Sequence, residues 1–224
     1  MHPLDRPVWS ALSTTHAALS VGTANARRYP GEIGPLAACR DDSPESLGEL
    51  ADLVASEGAI VLLQVGIPPI PAGSRADLVA DGVQMLLQDS ARLVDPGDVD
   101  ALGDADAAEM QALAQLTAPG PFSTRTHTLG RFYGIRIDGR LAAMAGERTR
   151  CPGHTEVSGV CTHPDFRGRG LAAKLCSKVA GGILARGDLA YLHAYATNTP
   201  AIRLYEQLGF VIRTAVTVVK LVKA

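Results

Sequence analysis

Residues 157–173 read VSGVCTHPDFRGRGLAA, and this stretch decides the fold. A β-forming run (Val157, Val160, Cys161, Thr162) enters the polar turn His163-Pro164-Asp165-Phe166. Arg167-Gly168-Arg169-Gly170 follows, and a helix-forming segment begins at Leu171. Strand, glycine loop and helix in that order aim several free backbone N–H groups at one point, where the helix dipole also favours negative charge. Gly168 and Gly170 lack a Cβ, so the backbone can take a positive φ and come close to a bulky anion. Arg167 and Arg169 add fork-shaped donors that match phosphate oxygens. The segment reads as a pyrophosphate cradle.

Three ligands compete for such a cradle. The pattern G-x-x-x-x-G-K-[ST] is absent, which argues against a nucleoside triphosphate. Gly168-x-Gly170-x-x-Ala173 satisfies the dinucleotide pattern formally, and Asp188 follows at roughly the spacing of a ribose-binding acid. Its context fails, because Asp188 precedes the run Leu189 to Tyr195 instead of ending a strand, and too little chain follows for the rest of a dinucleotide domain. A nucleotide-binding oxidoreductase is therefore disfavoured. The third ligand is coenzyme A, and the sequence downstream supports it.

There the chain resembles the GNAT superfamily of acyl-CoA-dependent N-acetyltransferases. The family's pyrophosphate motif is Arg/Gln-x-x-Gly-x-Gly/Ala, matched here by Arg167-Gly168-Arg169-Gly170-Leu171-Ala172. Its next landmark is a strand, an Asn and a short helix ending in Tyr-Glu-x-Leu-Gly-Phe. This chain has Leu189 to Tyr195, then Asn198, then Tyr205-Glu206-Gln207-Leu208-Gly209-Phe210. The match is close from Thr155 to Phe210 and looser back to about residue 90, while residues before about 85 match no pattern. The resemblance implies an α+β fold, a mixed and mostly antiparallel central sheet flanked by helices. On that basis residues 84–224 form the acetyltransferase domain, and residues 1–83 form an additional N-terminal α/β region that restricts the acceptor pocket or builds a homodimer interface.

Composition bounds the rest. A chain of 224 residues, 46% hydrophobic and 20% charged, suits a globular protein with an ample core. A net charge of −2 argues against a nucleic-acid or anionic-membrane partner. Cys39, Cys151, Cys161 and Cys176 form no disulfide framework, which suits a reducing cytoplasm. The N-terminal stretch is too polar for a signal peptide, and no apolar run approaches a membrane span.

Along the chain, residues 8–22 and 43–57 read as helices and 59–65 as a buried strand. Residues 66–74, rich in Pro and Gly, read as a loop or linker, followed by a strand at 84–88. Asp104 caps a helix to Leu116, and Asp138-Gly139 joins strands 132–137 and 141–147 in a hairpin. Leu171, Leu175, Val179 and Ile183 form a stripe at i, i+4 spacing that faces the sheet. Thr199 and Pro200 cap and start the last helix, Gly209 ends it, and 216–222 closes the sheet.

The resemblance also assigns roles. Backbone groups of Val160, Cys161 and Thr162 bind the pantetheine arm and polarise the thioester carbonyl, although all three also read as ordinary β-core. Arg167, Gly168, Arg169, Gly170, Leu171 and Ala172 hold the pyrophosphate. Asn198 and Ala201 complete the cofactor set, Asn198 either bonding the pantetheine amides or shaping the turn before Thr199. Tyr205 stands where the family donates a proton to the departing thiolate. Full transfer from a phenol near ~10 to a thiolate near ~8.5 runs uphill by about 2 kcal/mol, so a strong hydrogen bond is the better description. Packing alone is its rival role, since Ile202, Tyr205 and Leu208 share a helix face.

The base that deprotonates the amine is Glu156, with Glu147 second and a water chain third; either carboxylate also reads as a solvated strand-end charge. Cys151, His154, Cys161 and His163 resemble a zinc set, but Cys161 falls where the resemblance puts the strand that lines the pantetheine tunnel and His163 begins the turn, so no metal is expected. Cys161 as a nucleophile is disfavoured, because family transfer is direct. The acidic run Asp95 to Glu109 reads as a solvated loop and helix start, with attraction of cationic acceptors as the alternative. The expected reaction moves acetyl from acetyl-CoA to a primary amine of a small molecule or peptide. A non-catalytic acyl-CoA sensor is the rival.

Overall fold

The computed structural model describes residues 2–224. In chain order it contains α1 (Pro7–Ser13), β1 (Val21–Gly22), β2 (Ala26–Arg28), β3 (Ala37–Cys39), α2 (Pro44–Glu57), β4 (Ala59–Gln64), β5 (Ser74–Leu87) and β6 (Asp100–Leu102). It continues with α3 (Ala107–Thr117), β7 (Phe132–Ile137), β8 (Arg140–Cys151), β9 (His154–Thr162), α4 (Leu171–Leu184), β10 (Leu189–Tyr195), α5 (Thr199–Gln207) and β11 (Phe210–Lys223). The main sheet has the order β4-β11-β5-β10-β9-β8-β7-β6. Only β9 and β10 run parallel among its described pairs; the others are antiparallel.

The expected stripe on α4 is the spine of the core. Leu175, Val179 and Ile183 are fully buried and Leu171 nearly so, packed with Ala190 and Leu192 of β10 and with Tyr205, Leu208 and Phe210. The hairpin between β7 and β8 forms as its Asp-Gly turn dictates: Asp138 and Gly139 both have positive φ, at 51° and 76°. On the other face of the sheet, Val8 and Leu12 of α1 pack with Tyr29, Leu36, Leu63 and Val216.

Three expectations need correction. The helix expected over 8–22 ends at Ser13, because the Ser13 and Thr14 hydroxyls bond back to the carbonyls of Trp9 and Ser10 and compete with further helix. A 3₁₀ turn, Ala17–Leu19, follows instead. The strand expected at 84–88 is the end of the 14-residue β5, held along its length by β11. Asp104 does not cap α3: it lies in a 3₁₀ turn ahead of the helix, and its Oδ1 accepts a 2.8 Å bond from His127 Nε2. Position 83/84 lies inside β5, and the Pro-rich loop before β5 joins two strands, β4 and β5, that both pair with β11 in one sheet.

Candidate active site

The site is built where two parallel strands part. β9 and β10 pair through Leu189–His154, Ala190–Thr155 and Tyr191–Glu156, and the pairing stops there. Beyond that rung β9 stays with β8 and β10 stays with β5, so a wedge opens between them. Two bulges sharpen the parting. Between Gly146–Ser158 and Met144–Cys161, β9 carries one residue more than β8, and Gly159 takes a φ of 63° there. A Cβ at Gly159 would also press on Phe132, which makes glycine the natural residue at this bulge.

A cavity of about 140 Å³ fills the wedge. Val157 to Val160 of β9, His193 to Tyr195 of β10, Asn198, Ala201 and Tyr205 line one side of it. Leu36, Val61, Leu63, Val216 and Val218 line another, and the loop Pro119–Pro121 completes the wall. Of the strand expected to hold pantetheine, Val160 therefore faces the cavity. The Cys161 side chain instead packs with Met110, Leu113 and Met144, where burial pushes its thiol up to about 11.

Tyr205 is almost wholly buried, its ring edge-on to Phe210 with centroids 6.2 Å apart. Burial raises its hydroxyl well above the usual phenol range, so it is a neutral hydrogen-bond donor. Asn198, and not Thr199, caps α5: its Oδ1 accepts from Ala201 N at 3.3 Å, leaving the Nδ2 amide for the cavity. At the other end of β9, Gly168 and Gly170 have φ of 75° and 72°. A Cβ at either would meet nothing within 4 Å, so the space over the loop is open. Among the described residues no bond is made by the amides of Gly168, Arg169 or Gly170. The Arg169 guanidinium lies 5.3 Å from the centre of the Phe166 ring, and Arg140 lies at the same distance.

Glu156 occupies a different place from the one the sequence suggested. It is fully buried, and five donors surround its carboxylate. Arg148 gives Nε to Oε2 at 3.0 Å and Nη2 to Oε1 at 2.6 Å. Thr149 gives both its N–H, at 3.2 Å, and its hydroxyl to Oε2, and His193 Nδ1 reaches Oε1 at 2.8 Å. Consecutive residues of a regular strand point to opposite faces; the second bulge, between Glu147–Val157 and Arg150–Thr155, lets Arg148 and Thr149 address one carboxylate. Burial pushes the Glu156 carboxyl up, but the Arg148 charge and the His193 hydrogen bond outweigh it and hold the group well below the ordinary carboxylate range. With every lone pair engaged, Glu156 is not placed to take a proton from a substrate directly.

His193 is among the residues that line the cavity, and its ring is bonded to Glu156. Gln84 fixes the ring's other nitrogen. Its Oε1 accepts from Arg213 Nη1 at 2.8 Å and its Nε2 donates to Leu4 O at 2.9 Å, so the same amide donates to His193 Nε2 at 3.0 Å. His193 therefore carries its proton on Nδ1. Arg213 is in turn held by Asp5 at 2.6 Å. Glu147, the second expected base, is tied to Arg186 at 2.5 Å and does not line the cavity.

Sequence reasoning missed His193, Arg148 and the apolar wall. A signal for His193 was present: Tyr191, His193 and Tyr195 alternate with the apolar Ala190, Leu192 and Ala194, which gives β10 one polar face. Arg148 gave none, because its role depends on a bulge. The acidic run lies elsewhere: Asp106 and Glu109 pair with Arg136 at 2.7 Å each, and none of its members lines the cavity. Among the described residues no three His, Cys, Asp or Glu side chains gather as a metal site.

A solved structure from Novosphingobium aromaticivorans, assigned as an acetyltransferase of the GNAT family, matches 100% of this chain and 100% of its own at 48% identity, with a TM-score of 0.92. This chain belongs to the GNAT family. The model of the FR47-like protein family matches residues 132–219, the span from β7 into β11. A GCN5-related N-acetyltransferase from Kribbella flavida shares the fold at 18% identity and a TM-score of 0.68, over 100% of this chain and 96% of its own. A GCN5-related N-acetyltransferase-like protein from Streptococcus suis does so at 15% identity and 0.59, over 97% and 92%. No curated protein matches. GNAT membership implies acetyl-CoA as cosubstrate, and the open glycine loop with unused amides at the start of α4 fits its pyrophosphate.

Proposed function

We propose that this GNAT-family protein is an N-acetyltransferase that moves the acetyl group of acetyl-CoA to a primary amine by direct attack on the thioester. The observation that carries this reading is the parting of β9 and β10 after Glu156 and Tyr191, which sets a cavity between Val160 and Tyr205. When bound, acetyl-CoA supplies the activated acyl group; the chain supplies position and charge. Amides from Gly168 to Ala172, with Arg167 and Arg169, hold the pyrophosphate. Backbone groups of Val160, Cys161 and Thr162, with Asn198 and Ala201, align the pantetheine arm.

Tyr205 donates its hydroxyl hydrogen bond to the sulfur as negative charge develops there, without giving up its proton fully. With the Glu156 and Glu147 carboxylates both tied, the amine's proton leaves through a water chain, and Glu156 holds Arg148 and His193 in place on the cavity wall. Glu156 is in this sense a positioning residue. The N-terminal region restricts the acceptor pocket, a role supported by Leu36, Val61 and Leu63 in the cavity wall. All four cysteines are free and buried, which supports a reducing compartment such as the cytoplasm.

A thiol-release assay with acetyl-CoA and a panel of amines tests this reading. Turnover with at least one amine is expected. Tight acetyl-CoA binding with no turnover on any amine would favour a non-catalytic sensor instead.

A further inference from the structure

The two ends of the wedge decide what reaches Arg148. The glycine loop follows the end of β9 at Thr162, and the wedge closes at the rung Tyr191–Glu156, nearer the strand's start. An acyl-CoA whose pyrophosphate lies on the loop runs its arm back along β9, so the acyl group at its tip comes nearest the closed end. Arg148 stands there, bonded to Glu156 and lining the cavity with Ser158, Gly159 and His193. It is the one permanently charged side chain in the wall; no Asp, Glu or Lys lines the cavity among the described residues.

Arg148 has a donor to spare. Nε and Nη2 are spent on Glu156, while Nη1 takes no hydrogen-bond partner and is not sealed from the cavity. It lies beside the Pro119–Pro121 loop of the wall, where a Cβ built on Gly120 would stand 4.0 Å away. Five donors already meet the Glu156 carboxylate, against about four lone-pair sites, so that group has no acceptor left for Nη1. His193 offers none either, since Nδ1 is bonded to Glu156 and Nε2 to Gln84. The missing acceptor comes with the ligand, and an acetyl group has one polar atom, its carbonyl oxygen.

We infer that Arg148 is a further catalytic residue, whose Nη1 donates to the carbonyl oxygen of the acyl thioester. This inference rests on the acetyl-transfer reading and deepens it. As the amine nitrogen bonds to the carbonyl carbon, the C=O π pair moves onto the oxygen, and a fixed guanidinium N–H is worth most at that moment. The pair returns as the C–S bond breaks, and the sulfur leaves with the bonding electrons toward the Tyr205 hydroxyl. The amine's proton leaves through water. Glu156 serves the step by fixing the guanidinium at two of its nitrogens.

The test titrates three ligands by calorimetry into the wild type and Arg148→Lys. They are acetyl-CoA, S-ethyl-CoA, which lacks the carbonyl oxygen, and CoA, which lacks the acyl group. Lysine keeps a cation for Glu156 but has a single branch, which Glu156 takes. The wild type is expected to bind acetyl-CoA about tenfold more tightly than S-ethyl-CoA, the variant to keep less than about a threefold preference, and CoA to bind both alike. In a thiol-release assay kcat should fall by about a hundredfold in the variant. Should the lysine variant not fold, Arg148→Met with Glu156→Met removes the buried pair together and takes its place, with the same expectation. An equal preference in wild type and variant, or an equal loss of affinity for all three ligands, would overturn the inference while leaving acetyl transfer intact. So would a wild type that does not distinguish acetyl-CoA from S-ethyl-CoA. A wild type that binds neither acetyl-CoA nor CoA would overturn the acetyl-transfer reading, and the inference with it.

Discussion

His193 Nδ1 and Glu156 Oε1 meet at 2.8 Å just past the last rung that joins β9 to β10. The carboxylate is thus bonded to a residue of the cavity wall at the point where the sheet opens. One consequence concerns turnover. Glu156→Gln keeps the shape of the side chain but loses the charge that holds Arg148 and His193 in place. It should lower kcat by about ten- to a hundredfold with little change in acetyl-CoA affinity. Steady-state kinetics beside calorimetry checks this; equal rates across the pH range would exclude the pair from catalysis.

The same carboxylate makes stability depend on pH. Its folded value lies below the unfolded reference of 4.5, so its contribution is complete above that pH and drains away as pH falls below it. Urea midpoints measured from about pH 6 to 3 should fall for the wild type and fall less steeply for Glu156→Gln. Parallel slopes would mean that the carboxylate is not held in its charged form.

Breaking the buried pair should be costly. Glu156→Ala leaves Arg148 without its anion and should destabilise the protein by about 3–5 kcal/mol. Adding Arg148→Met should cost less than the two single changes together, a coupling that a double-mutant cycle in urea reads directly.

Tyr205→Phe retains the ring and its edge-on contact with Phe210 while removing the hydroxyl. The melting temperature should change little, acetyl-CoA affinity should hold, and kcat should fall by about tenfold or more. An undiminished rate would reduce Tyr205 to packing.

Direct transfer predicts inert thiols. Burial pushes Cys151 and Cys161 up to about 11 and Cys176 up to about 12, and Cys39 is also buried and raised. A thiol reagent should titrate none of the four until the protein is unfolded, and Cys161→Ser should keep its activity within a few-fold. Rapid inactivation by modification of Cys161 would point to a covalent intermediate.

Local chemistry was legible in the sequence and long-range chemistry was not. The α4 stripe, the Asp138-Gly139 hairpin and the glycine loop each depend on neighbours within a few residues, and each forms as its pattern dictates. Residues 74–83 hid the first half of β5 because much of it is exposed, so no clear alternation marks it; β11 imposes the strand. Thr199 looked like the cap because it adjoins Pro200, yet backbone geometry gave the cap to Asn198. Glu156 looked like an exposed strand end because its partners lie apart in the chain: Arg148 and Thr149 come through a bulge and His193 through the parallel crossover. The wall contributed by Leu36, Val61 and Leu63 could not be read at all, since it depends on how the first residues fold back over the sheet.

The central claim is that the loop from Arg167 to Ala172 and the wedge behind it hold an acyl-CoA. The most direct measurement is a calorimetric titration of the purified protein with acetyl-CoA, with NAD as the control. Saturable binding of acetyl-CoA and none of NAD is the predicted result. No heat with acetyl-CoA, or equal binding of NAD, would contradict the account.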